Sequence, residues 1–146
     1  MTTSSGMPAR CRLLIVEDEP GDAELTTERL STLPGYDFEV SVATSLEDAL
    51  GQIPALHPDA VVLDLNLPDS QGVETLRRIR AIQPDIAIVV LSGDVNPDVR
   101  QTALEAGAQD FIGKDDPAVQ LLARAVLFAV EKMKVQKYQQ DRKSVV

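Results

Sequence analysis

Five side chains that could support chemistry come directly after short apolar runs in this sequence. Glu17 and Asp18 follow the first run, and Asp64 follows the wholly apolar run Ala60–Leu63. Ser92 follows the next run, and Lys114 follows the last one after Gly113. A carboxylate at the end of a buried strand needs a partner, because an isolated buried charge is costly. These five residues are therefore the first candidates for a functional site.

The three carboxylates indicate a site for a hard divalent cation. Clustered carboxylates repel one another and raise one another's pKa values unless a cation lies among them. Lys114 supplies one positive charge, which leaves the cluster net negative. Mg²⁺ held by carboxylates and waters would neutralise the remaining negative charge. The ion would let a phosphate approach, so that Asp64 could attack phosphorus and form an aspartyl-phosphate. Lys114 and the Ser92 hydroxyl would hold the oxygens of the transferred group.

Alternating strands and helices must position these side chains. Runs rich in Val, Ile and Leu predict five strands, at Arg12–Val16, Phe38–Val42, Ala60–Leu63, Ile86–Leu91 and Asp110–Ile112. Amphipathic stretches of helical length separate them. This alternation predicts an α/β fold, a doubly wound five-stranded parallel sheet of flavodoxin-like (βα)5 type with strand order 2-1-3-4-5. Ligands of such sheets bind at the carboxyl ends of the strands, where the five candidate residues would meet.

Capping residues predict where the helices begin. Ser45 is predicted to cap the second helix, and Asp69 or Ser70 the third. Asn96 and Asp116, each followed by proline, are predicted to open the fourth and the last helix.

Length and composition limit the classes of protein that the chain can belong to. Its 146 residues suit one domain, expected over residues 11–137 with an extended last helix. Residues 1–10 are expected to form a disordered tail, and residues 138–146 a tail or the start of a linker. The net charge of −9 argues against direct nucleic-acid binding. Without a second cysteine or a membrane-length apolar run, the chain is expected to be cytoplasmic and free of the membrane.

Four pieces of the sequence together resemble the receiver domain of bacterial two-component response regulators, the CheY-like family. In chain order they are "LLIVEDEP", "VVLDLNLPDSQG", "IVVLSGD" and "AGAQDFIGK". The resemblance covers roughly Arg12 to Lys134. It implies a phosphorelay protein that takes a phosphoryl group from a histidine kinase or a histidine phosphotransfer protein with Mg²⁺ bound. It also implies a response in the surface of the fourth helix, the fifth strand and the fifth helix.

The resemblance assigns metal and phosphoryl roles to individual residues. Asp64 resembles the phosphoacceptor and Asp18 the direct Mg²⁺ ligand. Glu17 would act on the metal through water, and Asn66 would lend its backbone carbonyl. Lys114 would hold the phosphoryl group. The lysine of this family is usually followed by a cis proline, whereas Asp115 stands here, so this bond is expected to be trans or strained.

Switching and tuning positions also follow from the resemblance. Ser92 matches the hydroxyl residue that moves toward the phosphoryl group, and Phe111 matches the aromatic switch position. A plain core role for Phe111 is the alternative. Asn66 and Asp94 match two positions that tune the loss of the phosphoryl group, and their polarity predicts a short-lived signal.

The last helix carries a second row of apolar residues on the side predicted to face solvent. Leu121, Phe128 and Val135 are spaced seven apart, which is the spacing of a coiled-coil seam. They predict a homodimer or partner surface, although single exposed apolar residues are also normal. In the resembled family such a helix often continues into an output domain, so an output domain beyond Val146 is expected.

Three other classes of function compete with the switch. A non-phosphorylated pseudo-receiver would serve only as an interaction module, and the intact acid pair, Asp64 and Lys114 count against it. A phosphatase with an aspartyl nucleophile would need a second acid two residues after Asp64, where Asn66 stands. A nucleotide-binding domain is disfavoured because no glycine-rich loop follows the first strand. The chain is therefore expected to be a signalling domain, whose only chemistry is its own phosphorylation and dephosphorylation.

Overall fold

A five-stranded parallel sheet runs through the centre of the computed structural model, which describes residues 9–144. Its strands are β1 (Ala9–Val16), β2 (Tyr36–Ala43), β3 (Ala60–Leu63), β4 (Ala87–Ser92) and β5 (Asp110–Gly113). They lie in the order β2-β1-β3-β4-β5, and all four pairings are parallel. The fold class and the strand order predicted from the sequence are confirmed.

Helices connect the strands and cover both faces of the sheet. They are α1 (Pro20–Leu30), α2 (Leu46–Leu56), α3 (Val73–Ile82), α4 (Pro97–Glu105) and α5 (Leu122–Ser144), with a 3-10 helix at Pro117–Leu121. Buried residues of α2, α3 and α4 pack on one face, and those of α1 and α5 on the other. A two-residue antiparallel hairpin joins Asn66–Leu67 to Ser70–Gln71. Within the described residues, no helix is both long enough and apolar enough to cross a membrane.

The strands are apolar on both faces because helices cover both sides. In β1, Leu14 and Val16 join the core under α2, α3 and α4, whereas Leu13 and Ile15 join the core under α1 and α5. Every residue of β3 and β4 is buried. This two-sided burial explains why continuous Val, Ile and Leu runs marked the strands in the sequence.

Both ends of the described chain are more regular than expected. Ala9 and Arg10, placed in the N-terminal tail by the sequence, belong to β1 and pair with Tyr36 and Asp37 of β2. α5 continues past residue 137 to Ser144, and the segment contains neither Gly nor Pro, the residues that most disfavour a helix. Residues 1–8 and 145–146 of the expected tails lie outside the described residues.

The predicted starts at Ser45 and Asn96 are confirmed, and Asp116 caps a 3-10 helix instead of the last α-helix. Side-chain oxygens of Ser45, Asn96 and Asp116 accept hydrogen bonds from the backbone amides two or three residues further on, those of Asp48, Asp98 and Ala118 respectively.

The prediction that Asp69 or Ser70 caps the third helix is wrong. The residue before α3 is Gly72, which has no capping side chain. Asp69 instead accepts two hydrogen bonds, each of 2.9 Å, from the amides of Leu46 and Glu47 at the start of α2. It therefore ties the loop after β3 to a different helix.

The last helix starts later than predicted. Asp116 opens the 3-10 helix, and α5 begins only at Leu122. Leu121 therefore belongs to the 3-10 helix, whereas Phe128 and Val135 lie on α5. The expectation that all three residues lie on one α-helix is therefore wrong for Leu121. All three are exposed, by 58%, 79% and 55% respectively.

Candidate functional site

The carboxyl ends of four strands deliver the predicted site residues to one place. Glu17 and Asp18 follow β1, Asp64 follows β3, Ser92 ends β4 and Lys114 follows β5. Parallel pairing keeps these ends level, because the Asp64 amide donates to the carbonyl of Val16 at 3.0 Å and the Lys114 amide to that of Ser92 at 2.8 Å. The five candidate residues do meet at this edge of the sheet.

The Lys114 ammonium group is the centre of the charge network. Its Nζ lies 2.6 Å from Oε1 of Glu17, 3.0 Å from Oδ2 of Asp64 and 3.0 Å from Oδ2 of Asp22. A lysine ammonium has three N–H donors. Each of the three donors therefore has a carboxylate partner, and Lys114 joins α1, β1 and β3 at one point.

Asp22 was missed by the sequence reasoning. It lies in the first turn of α1, where an acidic residue is commonly just a favourable neighbour of the helix N-terminus. The only available signal was its place in "EDEPGD", close behind the acid pair. No apolar run precedes it, so the rule that strand ends carry the site did not select it.

The acidic residues suit a hard divalent cation. Carboxylate oxygens of Glu17, Asp18 and Asp64 all lie within 4.8 Å of one another. Glu17 and Asp64 are buried, at 4% and 7% exposure, whereas Asp18 is exposed. Anionic oxygen ligands on one open side are the donor set that Mg²⁺ takes while it retains waters. The residues present therefore fit the predicted metal.

The pKa of the Glu17 carboxyl group is raised well above its ordinary value. Burial and the adjacent Asp64 carboxyl raise the pKa of Glu17 to about 7, against the lowering effect of Lys114. Burial alone would lower the pKa of Lys114, but its bonds to Glu17, Asp22 and Asp64 outweigh burial and raise that pKa above its ordinary value. Lys114 is therefore a fixed positive charge.

Both oxygens of the Asp64 carboxylate are held in place. Oδ2 accepts from Lys114, and Oδ1 accepts from the backbone amide of Asn66 at 2.9 Å. Asn66 is in turn fixed by pairing with Gln71 in the small hairpin. The Asp64 carboxylate is therefore held in one orientation. The use of the Asn66 carbonyl as a metal ligand stays a prediction.

An open cleft of about 470 Å³ gives access to Asp64. Ser92 and Lys114 line it together with Asp94. Ser92 is 4% exposed, and its Oγ accepts a hydrogen bond of 3.1 Å from the Asp94 amide. The cleft thus brings a carboxylate, a hydroxyl and an ammonium group to a space that can hold a phosphoryl group.

Phe111 is buried at 2% exposure in the core below α4. Arg100 of α4 donates from Nη1 to the Phe111 carbonyl at 3.0 Å, and its guanidinium carbon lies 5.8 Å from the ring centroid. This inward position suits the plain core role, and the switching role stays a prediction. The bond between Lys114 and Asp115 is trans, since no peptide bond among the described residues is cis.

The comparisons with known proteins agree with this geometry. The family model described as "Response regulator receiver domain" matches residues 13–126. The transcriptional regulatory protein PrrA of Mycobacterium leprae (strain TN) is 39% identical over 113 residues, which cover 77% of this chain and 47% of that protein. The chain spans about half the length of such curated relatives.

Solved structures show the same likeness. The phosphorylated cyanobacterial phytochrome response regulator RcpA is 27% identical with a TM-score of 0.68, covering 82% of this chain and 91% of that one. The Mn²⁺-bound form of response regulator Rcp1 is 26% identical with a TM-score of 0.66, covering 80% and 89%. The family model, the curated relative and these structures agree on one assignment. This chain belongs to the response regulator receiver domain family.

Proposed function

We propose that this receiver domain is a switch in a two-component pathway, activated by phosphorylation of Asp64. The observation that carries the proposal is the setting of Asp64, which is oriented by Lys114 and Asn66 at the floor of an open cleft. The donor is a phosphohistidine of a histidine kinase or of a histidine phosphotransfer protein. We propose that the domain acts in the cytoplasm, where such donors act.

The transfer is a displacement at phosphorus. A carboxylate oxygen of Asp64 forms the new P–O bond while the P–N bond of the phosphohistidine breaks, and the bonding electron pair returns to the imidazole nitrogen. Lys114 and the Ser92 hydroxyl donate hydrogen bonds to the phosphoryl oxygens. Mg²⁺ held by Asp18, Asp64, the Asn66 carbonyl and, through water, Glu17 would neutralise charge on the transferred group.

Relatives support both the chemistry and the setting. RcpA has been solved in a phosphorylated form and Rcp1 with Mn²⁺ bound. PrrA is a transcriptional regulatory protein, and the matched 113 residues make up 47% of it. We infer that the phosphorylated domain controls an output domain or a partner through the surface of α4, β5 and α5, with movements of Ser92 and Phe111. The polar residues Asn66 and Asp94 beside the cleft suggest a short-lived phosphoryl group.

Intact mass measurement after incubation with Mg²⁺ and acetyl phosphate tests the proposal. The wild-type protein should gain one phosphoryl group, and Asp64→Asn should gain none. Asp115→Asn is the matched control, because Asp115 is an exposed acid next to Lys114, and this variant should behave like the wild type. A wild type that gains no phosphoryl mass, or an Asp64→Asn variant that gains it equally, would contradict the switch. Turnover of added phosphate esters would favour the phosphatase alternative.

The metal part of the proposal has its own test. Asp18 is the exposed member of the carboxylate group, so Asp18→Asn should remove a ligand without disturbing the core. Mg²⁺ affinity measured by calorimetry should fall by about tenfold or more, since even outer partners of metal ligands contribute this much. Glu24→Gln, a change at an exposed acid of α1, should leave the affinity unchanged. Equal affinities in Asp18→Asn and the wild type would argue against this ligand set.

A second role, self-association through α5, is favoured by a specific observation. Phe128 is 79% exposed and Val135 is 55% exposed, and both line a shallow hollow of about 360 Å³ beside the start of β5. Exposed apolar residues that lie together, as these two do, are typical of interaction sites. We infer that a second copy of the chain covers this part of α5.

A further inference from the structure

We propose that Asp22 is a positioning residue for phosphoryl transfer, which competes with the phosphoryl group for the Lys114 ammonium. The inference rests on the proposed function and deepens it. Asp22 supplies no atom to the displacement at phosphorus. It acts through Lys114, which it holds on the α1 side of the cleft.

Lys114 has only three N–H donors, so its hydrogen-bond acceptors compete for them. Its three N–H groups are taken by Glu17, Asp22 and Asp64. When a phosphoryl group is attached to Asp64, one of its oxygens can accept the hydrogen bond that Lys114 now donates to Asp64. Any further hydrogen bond from Lys114 to the phosphoryl group must be taken from Glu17 or from Asp22.

Burial distinguishes these two partners. The Glu17 side chain is 5% exposed and lies 2.6 Å from Nζ, whereas the Asp22 side chain is 44% exposed and lies 3.0 Å away. A buried carboxylate that loses its partner is left with an uncompensated charge, which is costly. An exposed carboxylate can be hydrated instead. Asp22 is therefore the partner that Lys114 releases most easily.

Asp22 also stands apart from the metal group. Within the described residues, the only cluster of carboxylates close enough to share an ion is Glu17, Asp18 and Asp64. Replacing Asp22 therefore removes a rival for Lys114 without removing a metal ligand. It also removes one negative charge beside Lys114, which lines the cleft that must accept an anion. Both effects favour the phosphorylated state, so a neutral residue at this position should strengthen binding of a phosphoryl group.

Beryllium fluoride, which forms a phosphoryl analogue on a carboxylate, is the probe. Its affinity is measured by calorimetry at saturating Mg²⁺ for the wild type, Asp22→Asn, Asp22→Glu and Glu24→Gln. Asp22→Asn keeps the shape and loses the charge, so it should bind about two- to fivefold more tightly, the range of a partly exposed ion pair. The gain should shrink as salt is added. Asp22→Glu restores the carboxylate and should return the affinity to near the wild-type value.

Glu24→Gln is the matched control for net charge. Glu24 lies two residues away on the same helix and is exposed. This variant should change the affinity less than half as much as Asp22→Asn does. An equal change in affinity in both variants would show that only the net charge of the protein matters, which would overturn the proposed role of Asp22.

The outcomes separate the two proposals. If the wild type binds beryllium fluoride while Asp22→Asn binds equally or more weakly, the competition is overturned and the phosphorylation switch stands. A residue with a merely structural role would give that weakening. If the wild type neither binds beryllium fluoride nor gains phosphoryl mass, the switch itself fails and the role of Asp22 fails with it.

Discussion

Lys114 Nζ lies 3.0 Å from Oδ2 of Asp64, although fifty residues separate the two in the chain. β4 lies between β3 and β5 in the sheet, so the lysine side chain must cross the end of β4 to make this contact. Only a long side chain can do so, and only when the strand ends are level. The contact therefore depends on correct pairing of β3, β4 and β5.

The raised pKa of Glu17 predicts that the metal-free protein loses stability as the pH rises. The ordinary pKa is 4.5 and the folded value is about 7. Between these values the folded state holds the proton that the unfolded state has released, so the free energy of unfolding falls from about pH 4.5 to about pH 7. The loss should be on the order of 1–3 kcal/mol. Urea unfolding in EDTA measures it.

Glu17→Gln is the control for this slope, because it cannot titrate and should flatten the curve over the same pH range. Mg²⁺ should also reduce the slope in the wild type, because a bound cation favours the ionised carboxylate. Parallel curves for the wild type and Glu17→Gln would show that the slope has another origin.

Asp69→Ala should destabilise the junction between the loop after β3 and the start of α2. The substitution leaves the amides of Leu46 and Glu47 without their acceptor. We expect Tm at neutral pH to fall by about 2–4 °C, which is typical of losing a helix cap in a domain of this size. Asp69→Asn keeps one acceptor oxygen and should lie between Asp69→Ala and the wild type.

The pH dependence of the Asp69 effect has the opposite sign to that of Glu17. Hydrogen bonds from the backbone amides of Glu47 and Leu46 lower the pKa of Asp69 below its ordinary value of 3.8. Its stabilisation is therefore complete above that value and is lost as the pH falls through the lower, folded pKa. The Tm difference between the wild type and Asp69→Ala, measured by circular dichroism, should shrink in acid. A difference that grows in acid would contradict this assignment.

The parts of the structure that the sequence predicted depend on local patterns. Strands buried on both faces must be continuously apolar, so β1, β3 and β4 were visible as runs. Ser45, Asn96 and Asp116 were visible as caps because each accepts from an amide only two or three residues further on. The site followed from one rule about where strands end in a parallel sheet.

The parts that escaped prediction depend on packing between distant elements. The contact between Asp22 and Lys114 spans ninety-two residues and requires the start of α1 to lie over the end of β5. Asp69 caps a helix that begins 23 residues before it, which no local cap pattern reveals. α5 begins at Leu122, later than predicted, because the residues after Asp116 form a 3-10 helix. A capping residue followed by proline can open either an α-helix or a 3-10 helix, so the sequence did not distinguish the two.

Gly113→Ala should strain the loop that carries the cleft residues after β4. A Cβ atom on Gly113 would lie 2.7 Å from Cγ1 of Val95, closer than van der Waals contact allows. We expect a loss of about 1–3 kcal/mol in the free energy of unfolding, typical of overpacking. Val95 is 65% exposed. If its side chain rotates outward, the loss in the free energy of unfolding should lie near the lower limit of this range.

Val95→Ala removes the clashing atom and should rescue Gly113→Ala. In a double-mutant cycle by urea unfolding, the two changes together should cost clearly less than the sum of the single effects. Additive effects would mean that the steric contact with Val95 is not the cause of the loss.

Phe128→Glu should weaken self-association without weakening the fold. Phe128 is 79% exposed, so the substitution should change the free energy of unfolding of a single chain by less than about 0.5 kcal/mol. Sedimentation should show a dimeric wild type and a largely monomeric variant. Leu121→Glu should have a smaller effect, because Leu121 lies on the 3-10 helix and not on α5.

Ile82→Glu is the matched control, since Ile82 is also an exposed apolar residue but lies at the end of α3. It should leave the dimer intact, because α3 packs on the opposite face of the sheet from α5. A monomeric wild type, or equal loss of dimer in Ile82→Glu and Phe128→Glu, would contradict an interface on α5. Retention of the dimer in Phe128→Glu would do the same, because a buried, unpaired carboxylate at the centre of an interface cannot be tolerated without cost.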